Sequence, residues 1–439
     1  MGHWDAVFAF LLAAVIAAVL TPLAAKLARK VGAIDFPSDR GLARKPTPLL
    51  GGLAILVAVM VVAAIHWVPD TIHLAPPAHA KPGTKVLLHK WPLLAGGLLI
   101  ALIGAIDDVR DLKPFVKLAG QIAAAIIAVR GGATIDDLTV PFIGAFQFPG
   151  AGGVLAVIWL VALMNVVNFS DGVDGLAAGV CAIDGIAFSL IAFNLQGSTS
   201  AAAVLAAITA GAALGFLVHN FPPARVFMGD AGSNLLGYLL GIIAISGSLK
   251  TGVAVALAVP LLILAVPFLD TGFVVAKRLK YGRRPWDADA NHFHHRMAAI
   301  GFSQRKTVAY LYAWTLMLAG VAVALRFVPY SNHHGTYRLG WSIVMGVILL
   351  GGVAASVYLV YVLEIFKFKV RRSIQLRRVD PDISEAEIQR SAQRDVETGE
   401  FDAVSDDELK YSARQDVEIR ELDTARREGR QPHARAHED

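Results

Sequence analysis

The chain has 439 residues, 55% of them hydrophobic and only 17% charged, with a formal net charge of +5. A soluble domain carries about a quarter charged residues, so the composition excludes an ordinary soluble enzyme. The apolar residues fall in long blocks near the ~20 residues that a helix needs to cross a hydrocarbon core of ~30 Å.

Taken in chain order, the blocks predict a polytopic all-α integral membrane protein of about eleven transmembrane helices. They lie near 6–25, 49–65, 92–106, 115–130, 152–167, 175–193, 200–218, 231–247, 252–275, 307–326 and 340–364. The first follows Met-Gly-His-Trp-Asp without a basic leader or a cleavage site, and reads as a retained helix. The connection 66–91, with Pro76-Pro77, reads as irregular; its His73, His79 and His89 could bind a metal, but their spacing is loose for one. Cys181 is the only cysteine, so an internal disulfide is excluded, and its apolar block predicts a buried small side chain.

Lys and Arg set the orientation. Loops that follow odd-numbered blocks carry Lys26, Arg29, Lys30, Arg40, Arg44, Lys45, Arg110, Lys113, Lys117, Arg225, Lys277, Arg278, Lys280, Arg283, Arg284, Arg296, Arg305 and Lys306. The opposite side carries far fewer. The prediction is N-terminus out and C-terminus cytoplasmic. Residues 1–364 form the membrane domain, and 365–439 read as a charged cytoplasmic tail, disordered or partly helical.

Carboxylates beside a membrane are costly and point to function when they cluster. Asp107-Asp108 closes the third block, Asp171 and Asp174 follow the fifth, and Asp230 follows the seventh. All fall on the predicted cytoplasmic side. Adjacent aspartates persist best beside a cation or sharing a proton. With Asp230 they suit Mg²⁺, which takes oxygen ligands and shares its shell with phosphates and water. A solvated helix end is the competing reading, although acids at a helix C-terminus oppose its dipole. Asp-Gly-Val-Asp-Gly and Gly-Asp-Ala-Gly-Ser are each compatible with a simple turn or cap. His292, His294, His295 and Arg296 lie too close together for one tetrahedral zinc site, and their donors suit a diphosphate. Asp184 is the lone acid deep within a block, and it is what a transporter reading would use.

Five motifs carry a resemblance. They are Pro46-Thr-Pro-Leu-Leu-Gly-Gly; Asp107-Asp108 with Lys117; Asn168-Phe-Ser-Asp-Gly-Val-Asp-Gly-Leu; Phe227-Met-Gly-Asp-Ala-Gly-Ser; and His292-Phe-His-His-Arg. In this order the chain resembles the polyprenyl-phosphate N-acetylhexosamine-1-phosphate transferases. The resemblance implies a Mg²⁺-dependent enzyme, with Mn²⁺ as a substitute. A lipid phosphate attacks a UDP-sugar and UMP leaves, at the cytoplasmic face of the inner membrane. It implies Asp230 as principal metal ligand, with Asp107 and Asp108 serving the metal and the lipid phosphate. Asp171 and Asp174 would hold the uridine side with Asn220 and Phe227; Asn168 would bind substrate; Lys117, His292, His294, His295 and Arg296 would meet phosphate or sugar. The partners implied are a UDP-sugar, a polyprenyl phosphate and the bilayer, with a homodimer allowed and no nucleic acid. His-x-His-His-Arg resembles the branch using UDP-GlcNAc; the alternative is the phospho-MurNAc-pentapeptide branch. Ala43 stands where related sequences often carry His.

Overall fold

A computed structural model describes residues 3–36, 46–66, 71–74, 86–140, 144–148, 150–193, 200–247, 264, 268, 304–328 and 338–358. Within them the chain runs α1 (His3–Val31), β1 (Ile34–Asp35), β2 (Thr47–Pro48), α2 (Gly51–His66), β3 (Thr71–Leu74) and β4 (Val86–His89). Next come α3 (Lys90–Arg110), α4 (Pro114–Arg130), β5 (Asp137–Val140), β6 (Gly144–Gln147), α5 (Gly152–Ser170) and α6 (Leu176–Phe193). Then follow α7 (Ser200–Asn220), α8 (Gly229–Gly247), α9 (Gln304–Phe327) and α10 (Leu339–Tyr358). Seven of the described helices are long and apolar enough to cross a membrane, and the molecule is a mostly helical, multi-pass membrane protein. The predicted block 252–275, residues 264 and 268 excepted, and the tail 365–439 lie outside the described residues.

One expectation is corrected. The connection 66–91 is not irregular throughout: Thr71–Leu74 pairs antiparallel with Val86–His89. Two further antiparallel pairs, β1–β2 and β5–β6, join it. Each is a short two-stranded pair outside the helices, where alternation over a few residues gave too weak a signal to read.

Small residues decide how the helices pack. On α1, Ala6, Ala9, Ala13 and Ala17 are buried at helical spacing, while Phe8, Leu11, Val15 and Val19 on the other face are exposed. The alanine face meets α7. A Cβ on Gly211 would stand 2.2 Å from the Phe10 carbonyl oxygen, and one on Gly215 would stand 2.1 Å from that of Ala14. One turn on, the His219 Nε2 lies 2.9 Å from the Ala18 carbonyl. The contacts advance together, so α1 and α7 run parallel, with small residues allowing the backbones to approach.

Helix α8 is the axis of the bundle. Every residue from Ala231 to Ser246 is buried, as expected of a helix apolar on all sides. It packs against α3, α5, α2, α7 and α6. Tyr238 reaches across to α3, its hydroxyl donating to the Leu93 carbonyl at 2.9 Å. Trp159 on α5 donates to the Gly241 carbonyl at 3.2 Å. These contacts leave the N-terminus of α8, with Asp230 in its first turn, among the ends of α3, α4 and α5.

Candidate active site

Helix α3 runs past the apolar block to Arg110 and stops at Asp111, which takes a left-handed conformation at φ 48°. Pro114 then opens α4, in the first turn where its missing N–H costs nothing. The tight reversal sets the first turn of α4 beside the last turn of α3. The Lys117 Nζ lies 2.5 Å from the Asp107 Oδ2 and 3.2 Å from the Asp230 Oδ2. The Leu112 N–H donates to the other Asp107 oxygen at 2.7 Å.

Asp108 does something different. Its Oδ1 accepts the Asp230 N–H at 2.7 Å, and its Oδ2 lies 3.3 Å from the Ala231 nitrogen, which donates to it. A carboxylate of α3 therefore caps the N-terminus of α8, satisfying amides that would otherwise lack partners. Two glycines make this possible. A Cβ on Gly104 would fall 2.4 Å from the Ala231 nitrogen. Gly229 has φ +69°, and a Cβ there would fall 2.3 Å from the Asp108 carboxylate.

Asp230 is held from a third side. The Asn168 Nδ2 donates to its Oδ1 at 2.8 Å and lies 2.9 Å from the Ser233 hydroxyl. Sitting in the first turn of α8, its carboxylate also gains from the helix dipole. Four helices thus contribute to one network: Asp107 and Asp108 from α3, Lys117 from α4, Asn168 from α5 and Asp230 from α8.

The turn after α5 carries the other two acids. Burial pushes the Asp171 carboxyl well above the ordinary range, and the negative charges of Asp230, Asp108 and Asp174 add to the effect. Burial also raises Asp174, against the hydrogen bond that it accepts from the Ala224 N–H at 2.9 Å. Asp174 thereby ties this turn to the 221–228 loop.

Asn220 makes a second tie between the same segments. It is 2% exposed, accepts the Gly175 N–H at 2.9 Å and donates to the Val226 carbonyl at 2.9 Å. The predicted nucleobase contact is thus committed to joining two loops, which sequence alone did not suggest. Helix α9 braces them both: the Tyr312 hydroxyl donates to the Gly175 carbonyl at 2.5 Å and the Arg305 Nε to the Pro222 carbonyl at 2.9 Å.

Phe227, half-buried, is fixed through its backbone. Its N–H donates to the Pro48 carbonyl at 2.9 Å and its carbonyl accepts the Gly51 N–H at 3.0 Å. The proline-rich and Gly-Asp motifs, far apart in sequence, are neighbours here. His292, His294, His295, Arg296 and Ala43 lie outside the described residues. The sequence assigned no site role to Ser233, Tyr312 and Arg305, nor to Gln121, Asn165 and Asn234. The last three sit one turn from Lys117, Asn168 and Asp230, and that spacing was the available signal.

The donor set fits a hard divalent cation. Two carboxylate oxygens, one each from Asp107 and Asp230, converge on the position that the Lys117 ammonium takes. No group of three or more His, Cys, Asp or Glu side chains able to hold a metal occurs among the described residues. Mg²⁺ is held by about one or two protein carboxylates with phosphates and water completing the shell, so two suffice. Asp108, expected among the metal ligands, already has both oxygens engaged by α8.

Residues 91–248, from the start of α3 to the end of α8, match glycosyl transferase family 4. A probable undecaprenyl-phosphate N-acetylglucosaminyl 1-phosphate transferase of Bacillus subtilis is 33% identical over 322 residues, covering 73% of this chain and 85% of its own length. The chain belongs to this family. Within glycosyl transferase family 4, a decaprenyl-phosphate N-acetylglucosaminephosphotransferase of Mycolicibacterium smegmatis is 34% identical over 342 residues, 73% of this chain and 82% of that one. A phospho-N-acetylmuramoyl-pentapeptide-transferase of Moorella thermoacetica is 32% identical over 345 residues, 72% and 96% of the two chains. The family match encloses Asp107, Asp108, Lys117, Asn168, Asp171, Asp174, Asn220, Phe227 and Asp230.

Proposed function

We propose that this protein transfers N-acetylglucosamine 1-phosphate from UDP-GlcNAc to a polyprenyl phosphate, at the cytoplasmic face of the membrane. The observation that carries the reading is the Asp107–Lys117–Asp230 constellation at the joined ends of α3, α4 and α8, an arrangement of charge suited to phosphates meeting beside a bilayer. The relatives named for N-acetylglucosamine phosphate transfer support the sugar, and the basic residues of the odd-numbered loops support the cytoplasmic side.

In this reaction an oxygen of the lipid phosphate attacks the β-phosphorus of the UDP-sugar. The bond from the β-phosphorus to the bridging oxygen breaks, and that oxygen keeps the electron pair and departs as part of UMP. Little covalent chemistry is required of the protein beyond positioning and neutralisation of charge. Asp107 and Asp230 would hold Mg²⁺, which supplies charge neutralisation at the phosphate oxygens. Lys117 pairs with phosphate oxygens once they enter, exchanging carboxylate partners for phosphate ones. Asn168 fixes the rotamer of Asp230, and Asp108 fixes the turn from which Asp230 projects. The 171–175 and 221–228 segments, tied by Asp174 and Asn220, form the wall for the nucleotide, with Asp171 and the Phe227 ring its available contacts. The histidine-rich loop, Lys117 and Arg296 would serve the diphosphate and sugar. Eleven helices and a homodimer complete the proposed assembly.

The test is direct. Purified protein with Mg²⁺, undecaprenyl phosphate and a panel of UDP-sugars should release UMP and form a lipid-linked sugar with UDP-GlcNAc. Turnover of UDP-MurNAc-pentapeptide with none of UDP-GlcNAc would move it to the other branch of the family. Release of UMP without any lipid product would overturn the transferase reading.

A further inference from the structure

Beneath the charged network lies a second one made only of amides. Asn165 on α5 donates through Nδ2 to the Gln121 Oε1 at 2.8 Å and to the Val161 carbonyl at 2.8 Å. Gln121 on α4 donates through Nε2 to the Asn234 Oδ1 at 2.8 Å. Asn234 on α8 donates to the Asp230 carbonyl at 2.9 Å. The bonds run in one direction, from α5 through α4 to α8, and end on the backbone of Asp230. Gln121 and Asn234 are each 5% exposed.

Each amide sits one turn from a residue of the candidate site on its own helix. Gln121 lies four residues after Lys117, Asn165 three before Asn168, and Asn234 four after Asp230. Residues at those separations share a helix face. The three amides therefore join the same three helices whose next turns carry Lys117, Asn168 and Asp230. An apolar contact would let these helices slide or rotate at small cost, whereas hydrogen bonds with an alternative of stranded amides hold one register.

We infer that Gln121, Asn165 and Asn234 are positioning residues: a three-helix amide relay that sets the distances among Lys117, Asn168 and Asp230. None of the three touches the reacting groups through its side chain, and each acts through the residue one turn away. The inference deepens the proposed transfer reaction and rests on it for its kinetic consequence, though not for its structural one. A misplacement of about 1 Å at reacting groups costs on the order of 10²-fold in rate.

The experiment uses the full-length protein in detergent and compares wild type with Gln121→Met, which keeps the chain length and removes both hydrogen bonds of that side chain. Two readouts are taken: steady-state UMP release with UDP-GlcNAc and undecaprenyl phosphate, and hydrogen exchange by mass spectrometry across α8. The relay predicts a kcat lower by about 10²-fold with the donor KM within about threefold, the pattern of an interaction realised in the transition state. It also predicts faster exchange confined to the first turn of α8, around Asp230 and Ala231, with the distant end near Ile245 unchanged.

A kcat within about threefold of wild type, at a site where lost transition-state contacts should lower it, would overturn the inference. So would faster exchange along the whole of α8, which marks a merely structural role. If Gln121→Met does not assemble, Asn165→Ala removes only the first donor and is read in the same way. If wild type forms no lipid product from any UDP-sugar, the proposed function fails, while the exchange measurement alone still decides the relay.

Discussion

At the scale of single residues, Asp230, Asp108 and Asp171 carry separate tasks, and their substitutions should separate too. Asp230 meets Lys117 and Asn168 through its side chain, so Asp230→Asn should lower kcat by about 10³-fold while the protein stays folded, as loss of a charge aimed at the transition state does. Near-normal UMP release at saturating Mg²⁺ would remove it from the chemistry. Asp108 accepts two amides of α8. Asp108→Ala should therefore lower the thermal midpoint more than Asp108→Asn, whose remaining oxygen still caps; loss of a cap costs about 1 kcal/mol. Equal midpoints would show that the cap contributes nothing. For Asp171 the sign is set by burial. Its folded carboxyl holds a proton above the ordinary range, so the stability tied to that proton is complete at acid pH and lost as pH rises through the raised value. Asp171→Asn stays neutral throughout. Its thermal midpoint relative to wild type should rise from pH 5 toward pH 8, and a constant difference across that range would refute the raised carboxyl.

At the scale of elements, helix contacts rest on glycines that leave room for a neighbouring backbone. Neither α1 nor α7 carries a residue of the charged network, and a side chain on Gly215 would collide with the Ala14 carbonyl. Gly215→Val should lower the thermal midpoint, with overpacking costing about 1–3 kcal/mol, and leave kcat per folded molecule unchanged. Gly104 differs because it abuts Asp230 and Ala231. Gly104→Ala should cut kcat by at least about tenfold even when the fold survives, since it shifts the turn that carries Asp230. Hydropathy found the positions of these helices but not their ends. The third apolar block stops near residue 106, whereas α3 continues to Arg110. Its last turn is polar because it lines the site, so the signal that marks a membrane span fades where the chemistry begins.

At the scale of the whole molecule, the chain joins an apolar bundle to a charged segment after residue 364. Composition suggests that the tail does no chemistry, so truncation after Arg378 should leave specific activity within a few-fold. Loss of activity with folding intact would show that the tail reaches the site or holds an assembly.

The sequence by itself determined that the protein is a membrane bundle, because blocks of apolar residues have one stable destination. It also marked Asp107, Asp108 and Asp230, because acids are costly in that setting and cluster there only for cause, while Lys117 and Asn168 were marked by the family resemblance. What each one does was decided by tertiary structure. That Asp108 caps α8 while Asp107 faces Lys117 depends on how α3 crosses α8, a geometry that two adjacent identical letters cannot encode. That the Asn220 amide joins the turn at Gly175 to the loop at Val226 was likewise set by the tertiary structure. The relay of Gln121, Asn165 and Asn234 was hidden for the same reason. Each is an ordinary amide in an apolar run, and its partner is set by helix packing across more than forty residues of chain.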